Sequence, residues 1–201
     1  AEIRLAHLDK GKADFEQAVQ ISRERNLQNW LVRALNAQGW AFRNQGDFKQ
    51  ALTDYREADQ LSLQINDPEQ RGWILNNMGF INALNNDRKE AFKNCQEALR
   101  LWEQIGFRRG MGAVYSTLGR IYRKFNQLED AIDHYNKALD IFESENDIDW
   151  ISKAKCGKAT VLWNQKNLDQ SEELFTWVFE NGPPNLKPWT LYNLAQIALE
   201  R

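Results

Sequence analysis

Apolar and polar positions along this chain follow the spacing of amphipathic helices. Ala51, Tyr55, Ala58 and Leu61 are separated by four, three and three residues, which places them on one face of a helix. Short breaks rich in Asn, Asp and Gln separate such segments. They lie at 44–47, 85–87, 126–127 and 166–167. Asp and Asn suit the N-cap of a following helix, because their side chains accept hydrogen bonds from its free N–H groups. The pattern predicts an all-α chain with tight turns.

Ten helices are predicted, in two alternating types: an A helix precedes each polar break and a B helix follows it. The predicted A helices are 28–44, 69–84, 108–124, 148–164 and 187–200. The predicted B helices are 8–25, 48–65, 88–104, 128–145 and 168–180. Residues 1–7 are predicted to end a further, truncated A helix. The Pro-rich stretch 181–188 is predicted to be a non-helical connector, because Pro lacks an N–H and restricts the residue before it. A hinge or docking loop is the alternative.

The pattern repeats with a 40-residue period and without a gap. Five sets of positions keep similar residues at this interval: Ala18, Ala58, Ala98, Ala138 and Val178; Phe15, Tyr55, Cys95, Tyr135 and Phe175; Ile21, Leu61, Leu101 and Ile141; Gly39, Gly79, Gly119 and Ala159; and Gly11, Ala51, Ala91, Ala131 and Ser171. One repeat is therefore an A helix, a tight turn and a B helix. A Gly kept inside a helix costs about 1 kcal/mol relative to Ala, so Gly39, Gly79 and Gly119 predict a close contact between A and B.

These positions resemble the tetratricopeptide repeat (TPR), whose pattern runs W-x2-L-G-x2-Y, then A-x3-F, then P. The third repeat matches well. It reads Tyr115-x2-Leu118-Gly119-x2-Tyr122, then Ala131-x3-Tyr135, then Ala138. The fourth repeat departs most, since Lys155, Lys158 and Ala159 replace the aromatic residue, the Leu and the Gly. The resemblance implies an all-α, right-handed superhelical solenoid of antiparallel helix pairs, with about four full repeats and a half-repeat at each end.

The usual repeat of the family has about 34 residues, and the repeat of this chain is longer. In this it is similar to the long-repeat subclass of kinesin light chains, spindle-orientation adaptors and the sensor arrays of bacterial signal-transducing ATPases. We expect the extra residues to lengthen the ends of the B helices and the B-to-A links, as at 66–68 and 106–110.

A single array is predicted over residues 1–201. Its repeats lie near 28–67, 68–107, 108–147 and 148–186, with half-units at 1–27 and 187–201. The chain does not begin with Met, and its last segment is still rich in Leu and aromatic residues. We therefore expect a segment of a longer protein, with other domains of that protein among its partners.

Composition narrows the class of protein further. The chain has 42% apolar and 27% charged residues and a net charge of −2, which is typical of a folded chain with no bulk attraction to nucleic acid or to an acidic membrane. No apolar run approaches the ~20 residues of a membrane span. The two cysteines have no metal-type spacing, which favours a reduced, cytoplasmic setting.

The sequence contains no recognisable catalytic motif, such as a Gly-rich phosphate loop, an HExxH helix or a nucleophile elbow. His7 and His134 have no metal partners at helical spacing, and a surface or inter-helix role is predicted for His134. Cys95 occupies the Tyr/Phe position of the core. Cys156 is predicted to pack, with an exposed reactive thiol as the alternative. We predict no enzymatic activity, no cofactor and no metal.

In the TPR family the A helices line a concave groove, so the resemblance implies which residues face a ligand. The implied positions in successive A helices are Arg33, Asn36, Trp40, Arg43 and Asn44; Trp73, Asn76, Phe80, Ala83 and Leu84; Ala113, Ser116, Arg120, Arg123 and Lys124; Lys153, Cys156, Thr160, Trp163 and Asn164; and Trp189, Tyr192 and Gln196. They include six basic residues and no acid, together with Trp and Phe. Trp and Arg are enriched at binding hot spots.

Two points about this set stay open. The Trp residues have the alternative of packing between adjacent A helices. Asn36 and Asn76 share one repeat position, and their amides are predicted to bind the backbone of an extended peptide, as the asparagine ladders of the resembling adaptors do.

The predicted function is a scaffold that binds a protein or peptide partner, acidic or carboxylate-bearing, in a basic and aromatic groove. One alternative is the effector-sensing arm of a larger signalling ATPase or transcription regulator. A second alternative is an accessory module that contacts nucleic acid or a ribonucleoprotein, which the acidic net charge disfavours.

Overall fold

The computed structural model describes the backbone of residues 2–201 and the side chains from residue 13 onward. Over this range the chain forms α-helices and one 3₁₀ turn, with no strand. It divides into two compact units, Ala1–Phe107 and Arg108–Arg201. The boundary falls between two of the predicted repeats.

Unit 1 contains five helices. They are α1 (Glu2–Glu24), α2 (Gln28–Gln45), α3 (Phe48–Gln64), α4 (Pro68–Leu84) and α5 (Arg88–Ile105). Unit 2 contains five helices and the 3₁₀ turn. They are α6 (Arg108–Lys124), α7 (Leu128–Ser144), α8 (Ile148–Asn164), α9 (Leu168–Asn181), the turn Pro184–Leu186 and α10 (Lys187–Glu200). The even-numbered helices are the predicted A helices and the odd-numbered ones the predicted B helices. Within each unit consecutive helices pack on each other, and so do neighbouring A helices, α2 with α4 and α6 with α8.

The helix map is confirmed for most of the chain and is wrong at its two ends. Helix α1 is continuous from Glu2, so the separate A helix predicted over 1–7 does not exist; Ala1 lies outside the described residues. At the other end, Pro184–Leu186 is a helical turn and Pro188 lies in the first turn of α10. Pro is tolerated there because its missing N–H would have no partner within the helix.

A residue in the left-handed conformation occurs at nearly every turn, at a constant interval that is half the length of the repeat. These residues are Asn26, Gly46, Asn66, Asn86, Gly106, Asn126, Asn146 and Lys166, with φ between 51° and 86°. The N–H of the next residue bonds back five residues, as from Asp47 to the Phe42 carbonyl oxygen at 3.0 Å. This is the Schellman arrangement, which satisfies the last carbonyl groups of a helix.

The turns from A to B and from B to A are therefore alike. Helices α3, α4, α6, α7 and α8 each have 17 residues. The expected longer B-to-A links are wrong: residues 65–67 join α3 to α4, and 85–87 join α4 to α5. The extra residues of the long repeat lie in the helices.

Aspartate or asparagine caps most of the helices that follow these turns. Asp47, Asp67, Asp87, Asp147 and Asn167 each accept a hydrogen bond from the backbone N–H three residues later. The predicted cap is absent in the break 126–127. There Asn126 is the left-handed residue and Gln127 occupies the N-cap without a capping side-chain bond.

The predicted close contact between A and B is confirmed within each unit. A Cβ atom on Gly39 would lie 2.8 Å from the Tyr55 ring, and one on Gly119 would lie 2.9 Å from the Tyr135 ring. A second small position, missed in the sequence, lies seven residues earlier in the A helix. At this position Gly112 faces the Phe142 ring, whose nearest atom would be 2.7 Å from a Cβ. The two contacts show that A and B pack antiparallel, with large side chains of B against glycines of A.

One core position of unit 1 carries a carboxyl group. Asp54, on α3, is buried, and its Oδ1 accepts a hydrogen bond from Gln50 Nε2 at 3.0 Å. The pKa of Asp54 is raised to about 6, mainly by burial; the Gln50 hydrogen bond opposes this rise and the nearby Glu57 contributes to it. The folded chain therefore binds a proton at Asp54 more tightly than the unfolded chain does, and the ionised carboxylate destabilises the fold at neutral pH.

Substitution of Gly46 tests whether left-handed geometry is the main requirement at the turns. No atom would lie within 4 Å of a Cβ on Gly46, whose φ is +86°. Gly46→Ala should lower the free energy of unfolding by about 1 kcal/mol, because Ala resists this conformation. Gly46→Asn should cost less than half as much, because Asn adopts the same conformation at five equivalent turns. Urea unfolding of both variants measures the difference; equal losses would contradict the explanation.

Asp54→Asn should stabilise the chain at pH 7.5 by about 1–3 kcal/mol, because it removes a buried charge whose pKa is raised by about two units. The wild type should recover this deficit as the pH falls from 7 to 4, since its carboxyl group then takes up a proton. Urea unfolding at several pH values checks this. Asp14→Asn, at an exposed aspartate of the same unit, is the control. A gain that is independent of pH would exclude the proposed cause.

Candidate functional site

The predicted groove residues of α2 form one stripe on unit 1. Arg33, Asn36, Trp40 and Arg43 are spaced by three, four and three residues, so they share one face of the helix. Arg33 is exposed, and 46% of Trp40 is accessible to solvent. Asn44 is also exposed but lies one residue beyond the stripe. An accessible indole and two arginines thus lie side by side on the A helix.

Arg43 is partly buried, as is Asn36 in the same stripe. Its Nη1 donates a hydrogen bond to Asn77 Oδ1 at 3.0 Å, and its guanidinium lies 5.7 Å from the centroid of the Phe80 ring. Burial lowers the pKa of Arg43, and the nearby Tyr55 raises it. Among the residues whose side chains are described, no carboxylate forms an ion pair with Arg43. Arg43 is therefore a partly desolvated cation whose charge no described carboxylate neutralises.

Asn77, which the sequence reasoning missed, joins α2 to α4. Its Nδ2 donates to Asn36 Oδ1 at 3.1 Å while its Oδ1 accepts from Arg43. Asn76, predicted with Asn36 to bind the backbone of a peptide, is buried, and its Oδ1 has no hydrogen-bond partner among the described side chains. The repeat could not identify Asn77, because the equivalent positions hold Ala37, Thr117 and Gly157.

Trp73, another predicted groove residue, packs against other rings of unit 1. Its ring centroid lies 4.9 Å from that of Trp102 and 6.1 Å from that of Phe107, in edge-to-face geometry. Trp102 is fully buried and donates Nε1 to the Glu69 carbonyl oxygen at 3.2 Å. This placement favours the packing alternative for Trp73.

Unit 2 places a basic group at the C-terminal end of α6. Arg120 and Lys124 are exposed, and Arg123 is half-buried. Ser116, one turn before Arg120, has a buried Oγ with no hydrogen-bond partner. Arg120 and Arg123 also lie close enough to lower the pKa of Tyr135, which burial raises to about 12. Of the predicted groove residues of α6, Arg120 and Lys124 thus lie at the surface, whereas Ala113 is buried.

Several predicted groove residues of α8 and α10 contact other side chains of unit 2. Lys153 is exposed, with its Nζ 4.7 Å from the centroid of the Trp150 ring. Trp163 donates Nε1 to Glu200 Oε1 at 2.9 Å, and the other carboxylate oxygen accepts from Lys166 at 2.9 Å. Trp189 packs edge-to-face on Phe175, with ring centroids 5.5 Å apart, whereas Tyr192 is exposed. In this unit Trp and Lys side chains together hold a carboxylate of the same chain.

The described residues offer little for nucleophilic or metal chemistry. No group of three or more His, Cys, Asp or Glu residues within them is placed to hold a metal ion. His134 packs 4.7 Å from the centroid of the Tyr122 ring and contacts the Asp130 carbonyl oxygen. His7 lies outside the described side chains. Cys95 and Cys156 are both buried, and burial raises the pKa of each thiol to about 12. The packing role predicted for Cys156 is favoured over the reactive thiol.

None of the described helices combines the length and the apolarity needed to cross a bilayer.

Two family models match the chain, and both are described as tetratricopeptide repeat. They cover residues 32–64 and 70–144, which together make up more than half of the chain. A comparison with curated proteins gives no match.

Several solved structures share the fold at low sequence identity. BtubC (BKLC) from P. vanneervenii is 16% identical, with a TM-score of 0.75 over 94% of this chain and 82% of that one. A signal transduction ATPase with numerous domains (STAND) and a tetratricopeptide repeat sensor, from Pyrococcus horikoshii, is 18% identical, with a TM-score of 0.71 over 98% of this chain. The chain spans only 31% of that protein.

A third structure, a putative kinesin light chain with nearly identical TPR-like repeats from Podosopora anserina, is 14% identical. Its TM-score is 0.61, over 87% of each chain. At these identities the likeness concerns the fold alone.

Both cysteines should resist alkylation in the folded chain. A thiol with a pKa of about 12 is almost entirely protonated at pH 8, and the thiolate is the reactive form. We expect iodoacetamide to modify Cys95 and Cys156 about a thousandfold more slowly in buffer than in denaturing urea. Mass spectrometry after timed quenching measures both rates. Rapid labelling of Cys156 in buffer would instead support the reactive-thiol alternative.

Proposed function

Because the chain belongs to the tetratricopeptide repeat family, we propose that it is a non-catalytic scaffold that binds a protein or peptide partner on its A helices. Proteins of this family bind protein partners. The finer part of the proposal is the chemistry of the partner: an acidic or otherwise carboxylate-bearing segment that lies along α2 and α4 of unit 1.

The single observation that supports this most strongly is the state of Arg43. A guanidinium that is partly removed from water without a carboxylate partner is left with an uncompensated cost of desolvation. A carboxylate from a partner would form charge-assisted hydrogen bonds with it, which are shorter and stronger than bonds between neutral groups. The Phe80 ring and Asn77 already position this guanidinium. Less side-chain entropy would therefore be lost on binding.

The neighbours of Arg43 supply the remaining features of a binding surface. Arg33 adds a second positive charge on the same stripe, and Trp40 offers an accessible ring between the two arginines. Such a ring can bury apolar side chains of the partner next to its acidic residue. In unit 2, Arg123, Lys124 and Lys153 are candidates for further acidic residues of a partner.

The contact of Glu200 with Trp163 and Lys166 illustrates the same chemistry within unit 2. An indole N–H and an ammonium group bind the two oxygens of one carboxylate. Trp163 and Arg43 occupy the same position of the 40-residue repeat, since they are separated by three repeats. This supports the view that the position suits a donor to carboxylates.

A second candidate function is the effector-sensing arm of a larger signalling protein. The observation that favours it is the similarity to the tetratricopeptide repeat sensor of the STAND protein. Under this alternative the ligand of the A helices would control another part of a longer chain.

Selection from a displayed library of random peptides tests the proposed chemistry whatever the natural partner is. We expect the selected peptides to be enriched in Asp and Glu. For such a peptide, Arg43→Gln should weaken binding about tenfold or more, because a hydrogen bond between charged groups contributes about 1.5–3 kcal/mol. The affinity of the wild type should also fall with added salt.

Arg56→Gln is the matched control, since Arg56 is an exposed arginine of the same unit on the B helix α3. Its affinity should equal that of the wild type. The proposal is wrong if the selected peptides lack acidic residues, or if Arg43→Gln binds them as tightly as the wild type does. Peptides that lack acidic residues and bind through other surfaces would point to the sensing alternative or to a different partner.

A further inference from the structure

Two arginines of unit 1 are held in contrasting ways. Arg71, on α4, donates Nε to Asp59 at 2.9 Å and Nη1 to Glu97 at 3.2 Å, so two carboxylates neutralise its charge. Arg43, on α2, donates Nη1 to the amide oxygen of Asn77 at 3.0 Å. An amide oxygen accepts a hydrogen bond but has no net charge. Asn77 therefore positions the guanidinium of Arg43 and leaves its charge in place.

The orientation of the Asn77 amide is itself fixed. Its Nδ2 donates to Asn36 Oδ1 at 3.1 Å, which turns its oxygen towards Arg43. A chain of hydrogen bonds thus runs from Arg43 through Asn77 to Asn36 and ties α4 to α2. No other hydrogen bond from the Arg43 side chain is found within the described part of unit 1. Among the described residues, the edge formed by Nε and Nη2 thus has no hydrogen-bond partner.

We propose that Asn77 determines the charge specificity of this surface: its neutral amide holds one edge of Arg43 so that the other edge can bind a carboxylate of the partner. The inference rests on the proposed function and adds a specificity-determining residue to it. A planar guanidinium binds a carboxylate through two parallel N–H···O bonds along one edge. If residue 77 were an aspartate, it would form the ion pair within the chain, as Asp59 and Glu97 do for Arg71.

Acetate is a suitable probe, because it carries one carboxylate and can be used whatever the natural partner is. The Nε–H signals of Arg43 and Arg71 can be followed by ¹⁵N–¹H NMR during an acetate titration at constant ionic strength. The Arg43 signal is assigned by its loss in Arg43→Gln. In the wild type we expect a saturable shift of the Arg43 signal and little change for Arg71. In Asn77→Asp the Arg43 signal should no longer respond.

Gln45→Asp is the matched control for charge. It adds the same negative charge two residues from Arg43, at an exposed position, and should preserve most of the response to acetate. Asn77→Ala serves as a second variant in case Asn77→Asp does not fold, which circular dichroism would reveal. With the charge kept but the positioning bond removed, the Arg43 signal of Asn77→Ala should still respond, about two- to fivefold more weakly.

The outcomes separate this inference from the proposed function. The inference is overturned if Arg43 does not respond to acetate in the wild type, or if it responds equally in Asn77→Asp. It is also overturned if Asn77→Ala responds as strongly as the wild type. The proposed function fails only if Arg43→Gln keeps the peptide affinity, or if the selected peptides are not acidic. Loss of peptide binding in Arg43→Gln with an unchanged response in Asn77→Asp would leave the function standing and refute the role of Asn77.

Discussion

The close approach of each A helix to the following B helix is the constraint on which the arrangement within each unit depends. Tyr55 and Tyr135 lie directly over Gly39 and Gly119, where no side chain intervenes. Because the glycine face of an A helix packs on the B helix, helical geometry determines which of its residues remain at the surface. Arg33 and Trp40 are exposed because they lie well away from Gly39 around α2, whereas Arg43, one turn after the glycine, is half-buried at the edge of that face. The stripe of exposed side chains on α2 is thus a consequence of the packing.

This relation explains why so much of the fold could be predicted from the sequence. The glycines and the polar breaks, which recur in the 40-residue repeat, reflect local requirements. The glycines permit close packing of two helices, and the polar residues form the turns and caps. The predictions are wrong where a local rule has exceptions. Pro188 suggests a break in helical structure but lies in the first turn of α10, where the missing N–H has no consequence. Longer B-to-A links are predicted because the 40-residue repeat was compared as a whole. The left-handed residues recur at half that interval, so the two kinds of link have the same length.

The candidate site was less predictable, because its residues depart from the repeat. The pattern predicts that Asn36 and Asn76 together bind the backbone of a peptide, whereas the structure joins Asn36 to Asn77 and buries Asn76. Asn76 and Asn77 are consecutive residues of α4 and point in different directions around the helix. Sequence spacing alone does not show which of the two faces α2. The same role is predicted for Trp73 and Trp40, yet of these two only Trp73 packs against other rings in the described part of unit 1. Such contacts depend on side chains of other helices, which the pattern of a single helix does not contain.

The left-handed residues at the helix ends have a further consequence for how such a chain can change in length. The backbone leaves these turns in the same conformation, whether the next helix is of type A or type B. Removal or duplication of the segment between Asn66 and Gly106, or of the one between Asn86 and Asn126, would therefore join ends that already match. The joint would require no new loop. A gene duplication or deletion that begins and ends at equivalent turns would therefore add or remove whole helix pairs and leave every turn intact.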